Sequence, residues 1–335
     1  MVKSMNKWLQ DIRKKENKRA MPVLTFPAIQ LMNVSVSELI NDSDLQVQAL
    51  KLIHERLNPL AIMGFMDLSV EAEVFGSHIH FTDDEVPNVV GSIITCEEDA
   101  INLKIPEVGD KRTGINIEAI QKAKKEITDC PVFAGCIGPF SLAGRLLDVT
   151  EAMIYCYDEP DMVHMVLEKV TDFLIKYIQA YKDVGADGVF MAEPLAGILS
   201  PDLCDEFSSQ YVKKIVDALD DDHFIVAYHN CGNNVLKMVD TMLSTGCKLF
   251  HFGNAISVQE MLQKMPNDVM IMGNIDPVHL KDFSTQEVID ETTSLLEEIG
   301  DVDNFVISSG CDIPPLSNWD NIDTFMKVSH DFYQK

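Results

Sequence analysis

Positive charge is the first thing this sequence is short of. Arg13, Arg19, Arg56, Arg112 and Arg145 are the only five arginines in 335 residues, and 27 basic side chains face 53 acidic ones for a net charge of −26. So acidic a surface repels polyanions, which argues against nucleic acid or an anionic membrane as a partner and favours proteins with a neutral or basic face. Long apolar runs are also missing. No stretch approaches the roughly 18 to 20 residues of a membrane span, and the charged segment Met1 to Lys18 lacks the apolar core of a secretion signal. The eight cysteines form no closely spaced framework, which excludes a small disulfide-stapled scaffold and fits a reducing cytoplasm. No phosphate-binding glycine loop of the G-x-x-x-x-G-K-[ST] kind occurs, so nucleotide chemistry has no support. No Pro-, Gly- or Ser-rich linker and no internal repeat divides the chain, and one domain spanning residues 1–335 is expected.

What is present is an alternation of short apolar runs with stretches of helical period. Eight runs read as strands: Pro22 to Pro27, Leu60 to Asp67, Pro131 to Cys136, Gly188 to Glu193, Phe224 to His229, Lys248 to Phe252, Val269 to Asn274 and Asn304 to Ser309. Between them, Ser43 to Leu57, Asn116 to Ile127, Asp161 to Val184 and Gln286 to Ile299 carry helical spacing; Met162, Val166, Val170, Phe173 and Tyr177 form one such stripe. Eight βα units predict an α/β fold, a (β/α)8 TIM barrel. Residues 1–20 read as an N-terminal helical extension. Residues 73–107, with the alternating Gly76 to Phe81 and the turn-forming Asp83 to Pro87, read as a hairpin or loop inserted after the second strand.

In such a barrel the active site lies at the C-terminal ends of the strands, and polar residues cluster there. Asp67 closes the second run, Glu193 the fourth, His229 the fifth with Cys231 just beyond it, His251 lies in the sixth, Asn274 and Asp276 follow the seventh, and Cys311 with Asp312 the eighth. Residues two apart in an extended chain point to the same side, so His229 and Cys231 can grip one ion together. A second thiolate, from Cys311, gives three ligands and leaves the fourth position open, which is what a catalytic zinc requires. Glu193, His251, water or substrate can fill that position. Each residue also has a plainer reading. A cysteine is often an ordinary buried residue, His251 between Phe250 and Phe252 suits a core, and Glu193 can bind the substrate or simply cap the next helix. Asp67 and Glu71 in an apolar stretch suit hydrogen bonding to substrate or acid–base work, yet Asp67 also reads as a cap. Asn274 and Asp276 can line a pocket or merely start a helix at Pro277. His78 and His80 need no function beyond an exposed hairpin.

Taken together, Met66 to Glu73, Gly138-Pro139-Phe140, Gly185 to Gly188, Glu193 to Ala196 with Leu199-Ser200-Pro201, His229 to Gly232 and Gly273 to Pro277 resemble the uroporphyrinogen decarboxylase superfamily over most of the chain. His-x-Cys with a distant Cys resembles the zinc-dependent, corrinoid-linked methyltransferase branch. That resemblance implies a methyl group exchanged between the methyl-corrinoid (cobalamin) of a cognate corrinoid protein and a small substrate, either a thiol acceptor or a methylated ether or amine donor. His229, Cys231 and Cys311 would then hold zinc, with Asp67, Glu193 and Asn274 as catalytic candidates. It also allows a homodimer. The arginine-rich N-terminal segment of true decarboxylases is absent: Arg19 to Val23 and Phe26 to Gln30 carry one arginine. Five scattered arginines are too few to neutralise an octacarboxylate by bidentate pairing. Because Asp67 stands where decarboxylases place their key aspartate, tetrapyrrole decarboxylation is the alternative expectation. A non-catalytic subunit that only binds a corrinoid partner is the third.

Overall fold

Seven parallel strands curl around a common interior in the order β1-β4-β5-β6-β7-β8-β9, in a computed structural model that describes residues 4–334. They are β1 (Ile62–Met63), β4 (Val132–Ile137), β5 (Gly188–Ala192), β6 (Ile225–Asn230), β7 (Leu249–Phe252), β8 (Met270–Ile275) and β9 (Phe305–Ser309). The remaining two, β2 (His78–His80) and β3 (Asn88–Val90), pair antiparallel as the hairpin expected after the second run. Helices alternate with the barrel strands, giving the (β/α)8 plan.

The first expected strand, Pro22 to Pro27, is not one. Its neighbourhood nevertheless closes the barrel: Leu60 N–H donates to the Ala20 carbonyl and Met21 N–H to the Ile307 carbonyl, bridging from β1 to β9. Pro22 has no N–H to give, and Val23 N–H goes to the Ser309 hydroxyl instead of a backbone carbonyl. The ladder therefore never forms, and an extended stave takes the place of the eighth strand. The second run is likewise shortened, to Ile62–Met63.

Helices fall where their periodicity placed them. Ser43–Leu57 matches its expectation and is capped by Asp42, which accepts from Asp44 and Leu45 N–H. Pro160–Asp183 buries the Met162 to Tyr177 stripe. Thr285–Ile299 starts at a capping box between Ser284 and Glu287. Arg112–Glu126 begins earlier than its periodicity suggested, because Gly114 in the first turn weakens the helical signal without preventing the helix.

Two apolar clusters follow from the period-two alternation of the strands. Tyr228, Phe250, Ile271 and Ile307 face the surrounding helices. Phe133, Phe190, Ile225, Ala227, Leu249, Met270, Met272 and Val306 fill the interior, joined by Met5, Trp8, Leu9 and Ile12 of the N-terminal segment. The helix Met5–Asp11 thus belongs to the barrel's own core, with Trp8 tilted against Phe133 at a ring separation of 5.9 Å. No helix among the described residues is long and apolar enough to cross a membrane.

Candidate metal centre and active site

Alternation that puts Ile225 and Ala227 inside the barrel puts His229 there as well, at the last inward position of β6. In the parallel register His229 lies beside His251 of β7. Phe190 lies against both: its ring stacks on His229 at 5.6 Å and meets His251 edge-on at 5.2 Å. The two imidazoles are buried and in contact, with His229 Nδ1 and His251 Nδ1 2.6 Å apart.

The protons of this pair follow from their other partners. His251 Nε2 is 2.7 Å from the Ser309 carbonyl and 2.9 Å from the Ser308 hydroxyl, which itself donates to the Met21 carbonyl. A carbonyl only accepts, so His251 Nε2 carries a proton. Burial, and then the neighbouring His229, hold the His251 pKa well below the usual imidazole value, so that ring is neutral. Its Nδ1 must be a lone pair, and the 2.6 Å contact requires His229 Nδ1 to donate. A neutral His229 then has its lone pair on Nε2, 3.8 Å from Cys311 Sγ.

Cys231 and Cys311 complete the set, and one donor atom from each of the three residues lies within 4.8 Å of the others. Both thiols are half-buried. The Cys311 thiol donates to Cys231 and holds its pKa down to about 7, whereas that same bond, with burial, pushes Cys311 up to about 12. The pair therefore gives up its first proton near neutrality. A basic imidazole nitrogen beside two thiols, one ready to ionise, can hold a metal ion such as zinc with three ligands and an open fourth position. Gly253 permits the convergence: a Cβ there would sit 2.7 Å from Cys231 Cα.

Neither extra ligand considered from sequence joins this group. His251 turns one nitrogen to His229 and the other to Ser309, so it orients a ligand and does not act as one. Glu193 is fully buried, with Oε1 accepting from Phe140 N–H at 2.7 Å, Ser141 N–H at 3.2 Å and the Ser208 hydroxyl at 3.1 Å. It caps the helix Pro139–Leu147, where burial raises its pKa to about 8. Its Oε2 has no partner among the described residues.

Asp67 is buried and committed as well. One oxygen accepts from the Ser69 N–H and hydroxyl, and the other pairs with Arg112, which also holds Glu73 at 2.6 Å. Glu71 beside it accepts from Ile137 N–H, and burial lifts its pKa to about 7. Asn274 spends both amide protons on the Gly253 and Ile256 carbonyls, securing the loop after β7. Asp276 caps the helix Pro277–Asp282, the plainer of its two readings. His78 and His80 are exposed on the hairpin.

Two arginines missed in sequence matter here. Arg112 neutralises Asp67, and Arg145 lines a cavity of about 320 Å³ together with Ser69, Asp312 and residues 86–89 of the hairpin. A larger cavity, of about 430 Å³, lies at the opposite end of the barrel around Arg19, Arg56 and His330 and holds none of the candidate residues. A second His/Cys/Asp group does not suit an ion: His54 offers Nε2 to Asp129 and Nδ1 to Cys130, on opposite sides of the ring.

The uroporphyrinogen decarboxylase family profile matches residues 18–332, nearly the whole chain. The chain belongs to the uroporphyrinogen decarboxylase family. Among relatives, the methylcobamide:CoM methyltransferase MtbA of Methanosarcina acetivorans is 26% identical over 332 residues, covering 94% of this chain and 95% of that protein. A uroporphyrinogen decarboxylase of Pseudoalteromonas translucida is 24% identical over 285 residues, covering 82% and 79%. In three dimensions the chain superposes on a methyltransferase from Methanosarcina mazei with a TM-score of 0.86 at 21% identity, covering 99% of both chains. A B12-independent methionine synthase from Shewanella gives 0.60 at 12% identity, with 94% of each chain covered. These likenesses place the chain in the uroporphyrinogen decarboxylase fold.

Proposed function

We propose that this protein is a zinc-dependent methyltransferase that exchanges a methyl group between the corrinoid of a partner protein and a small substrate. The observation that carries the reading is the convergence of His229 Nε2, Cys231 and Cys311 within 4.8 Å at the barrel mouth. Support comes also from the full-length match to a methylcobamide:CoM methyltransferase. Bound by this set, zinc supplies Lewis acidity, which either ionises a substrate thiol near neutral pH or polarises the leaving heteroatom of a methylated donor.

The chain's own residues prepare that chemistry. His251 and the Ser309 carbonyl hold the His229 tautomer with its lone pair on Nε2. Phe190 shields the imidazoles from below and keeps water from the barrel interior. Around the mouth, Ile198, Val278 and Leu316 are exposed, and they sit beyond the C-terminal ends of β5, β8 and β9. We assign the docking of the corrinoid protein to this face, within a strongly acidic surface that favours a neutral or basic partner.

Decarboxylation is the less favoured reading. Asp67 is held by Arg112 and Ser69, so both of its oxygens are already engaged. The deciding experiment supplies zinc-loaded protein with methylcobalamin and a thiol, or cob(I)alamin and a methyl ether or amine, and follows the cobalamin spectrum. Methyl exchange that disappears in Cys311→Ser supports the proposal. Conversion of uroporphyrinogen to coproporphyrinogen, unaffected by chelation, would overturn it.

A further inference from the structure

Arg145 stands apart from every other arginine of the chain. Arg13 donates to the Asn267 and Asp268 carbonyls, Arg19 to Asn58, Arg56 to Asp323, and Arg112 to Asp67 and Glu73. Arg145 makes no hydrogen bond or ion pair among the described residues, and its Nε is buried without a partner. Burial lowers its pKa, and Asp67 opposes that effect from nearby without pairing to it. Leaving a part-buried guanidinium unpaired is costly. It is the more notable in a chain with 53 acidic residues to choose from.

The side chain lines the cavity of about 320 Å³ at the mouth of the barrel, a volume at the small end of ligand sites, which run to roughly 1,000 Å³. Met66, Leu68, Val86, Pro87 and Pro314 make its walls apolar. Ser69, Asn88 and Asp312 add polar groups, and Asp312 Oδ1 is likewise buried and without a partner among the described residues. Arg145 and Asp312 form no ion pair with each other, so a guest can lie between them. Asp312 follows Cys311 directly in the chain, which sets the cavity beside the third ligand of the proposed zinc.

We infer that this cavity binds a small organic anion with an apolar body, whose carboxylate or sulfonate pairs with Arg145 and whose hydroxyl, amine or thiol donates to Asp312. A guanidinium in a dry apolar setting selects planar or tetrahedral oxyanions by bidentate hydrogen bonding. The apolar walls then favour a body such as an aryl ring or short alkyl chain over a polyol. This assignment rests on the methyl-transfer reading only for the role of the guest, as donor or acceptor; the binding itself does not depend on it.

The test measures binding to zinc-loaded protein by calorimetry, with two matched probe pairs. One is 4-methoxybenzoate against 4-methoxybenzamide, representing a methyl donor; the other is 3-mercaptopropionate against 3-mercaptopropionamide, representing a thiol acceptor. At least one anion should bind tenfold or more tightly than its neutral amide. Arg145→Gln should erase that preference, and Arg145→Lys should retain part of it, with thermal midpoints reporting that both variants fold. Equal binding of anion and amide, anion binding unchanged in Arg145→Gln, or binding by neither anion overturns the assignment. Anion binding without methyl exchange to or from cobalamin keeps the site and sinks the methyltransferase reading. Methyl exchange indifferent to Arg145 keeps the methyltransferase reading and overturns the guest's role as donor or acceptor.

Discussion

His251 Nδ1 accepts a proton bond from His229 Nδ1 across 2.6 Å, so a histidine that binds no metal decides which nitrogen of its neighbour can. Replacing His251 by phenylalanine removes the acceptor and frees His229 to put its proton on either nitrogen. Zinc affinity should fall by roughly 10- to 100-fold, the usual effect of losing the partner that orients a ligand. Competition against a chromophoric chelator reads this directly. Unchanged affinity would mean that the imidazole pair is only packing.

Anaerobically purified protein should carry close to one zinc per chain, and His229→Ala and Cys311→Ser should each lose it. Metal analysis by plasma mass spectrometry is the measurement. Gly253→Ala makes the same point without touching a ligand. Its new methyl would sit 2.5 Å from Cys231 Cβ, so the thiol must move and zinc occupancy should drop while the far-ultraviolet circular dichroism stays that of a folded barrel.

Arg112 and Asp67 form a buried ion pair, and removing one member strands the other. Arg112→Leu should destabilise the protein by about 3–5 kcal/mol, the typical cost of an uncompensated buried charge. Adding Asp67→Leu should recover much of the loss. Urea titrations of the two variants check both numbers, and equal losses in single and double variants would deny the pair its role.

Glu71 and Glu193 hold pKa values of about 7 and about 8, raised by burial from an ordinary 4.5. Between about pH 4.5 and those values the folded chain keeps protons that the unfolded chain has released. Stability therefore falls as pH rises through this window, by at most about 1.4 kcal/mol per pH unit for each group. The slope of thermal midpoint against pH from 5 to 8 should flatten in the Glu71→Gln/Glu193→Gln double variant. Parallel slopes in variant and parent would refute the assignment.

Much of this architecture could be read from the residues, for definite reasons. Strands β4 to β9 announce themselves because fully buried parallel strands are continuous apolar runs, and His229, Cys231 and Cys311 do so because few other roles require that spacing. Pro22 to Pro27 was read as a strand because its apolar run looks like the others, and only the hydrogen bonds to Leu60 and Ile307 show an extended stave without a ladder. Arg112 was passed over for a similar reason: 45 residues separate it from Asp67. Glu193 makes no cap bond to the helix that follows it, Pro194–Ile198; it binds the N-terminus of Pro139–Leu147 instead, a contact across more than 50 residues that no local pattern encodes. His251 was legible only as a core residue or a ligand, and the partners of its two nitrogens, His229 and Ser309, appear only once the strands are side by side.

The order in which the core is assembled has a consequence for biosynthesis. Met5, Trp8 and Leu9 are made long before Val306, yet all four pack into one interior cluster. His229 and Cys231 wait in the same way for Cys311. A nascent or truncated chain ending before β9 therefore exposes an unsealed apolar interior and holds an incomplete donor set. The apolar interior is sealed, and the three donor groups meet, only once β9 and Cys311 have been made.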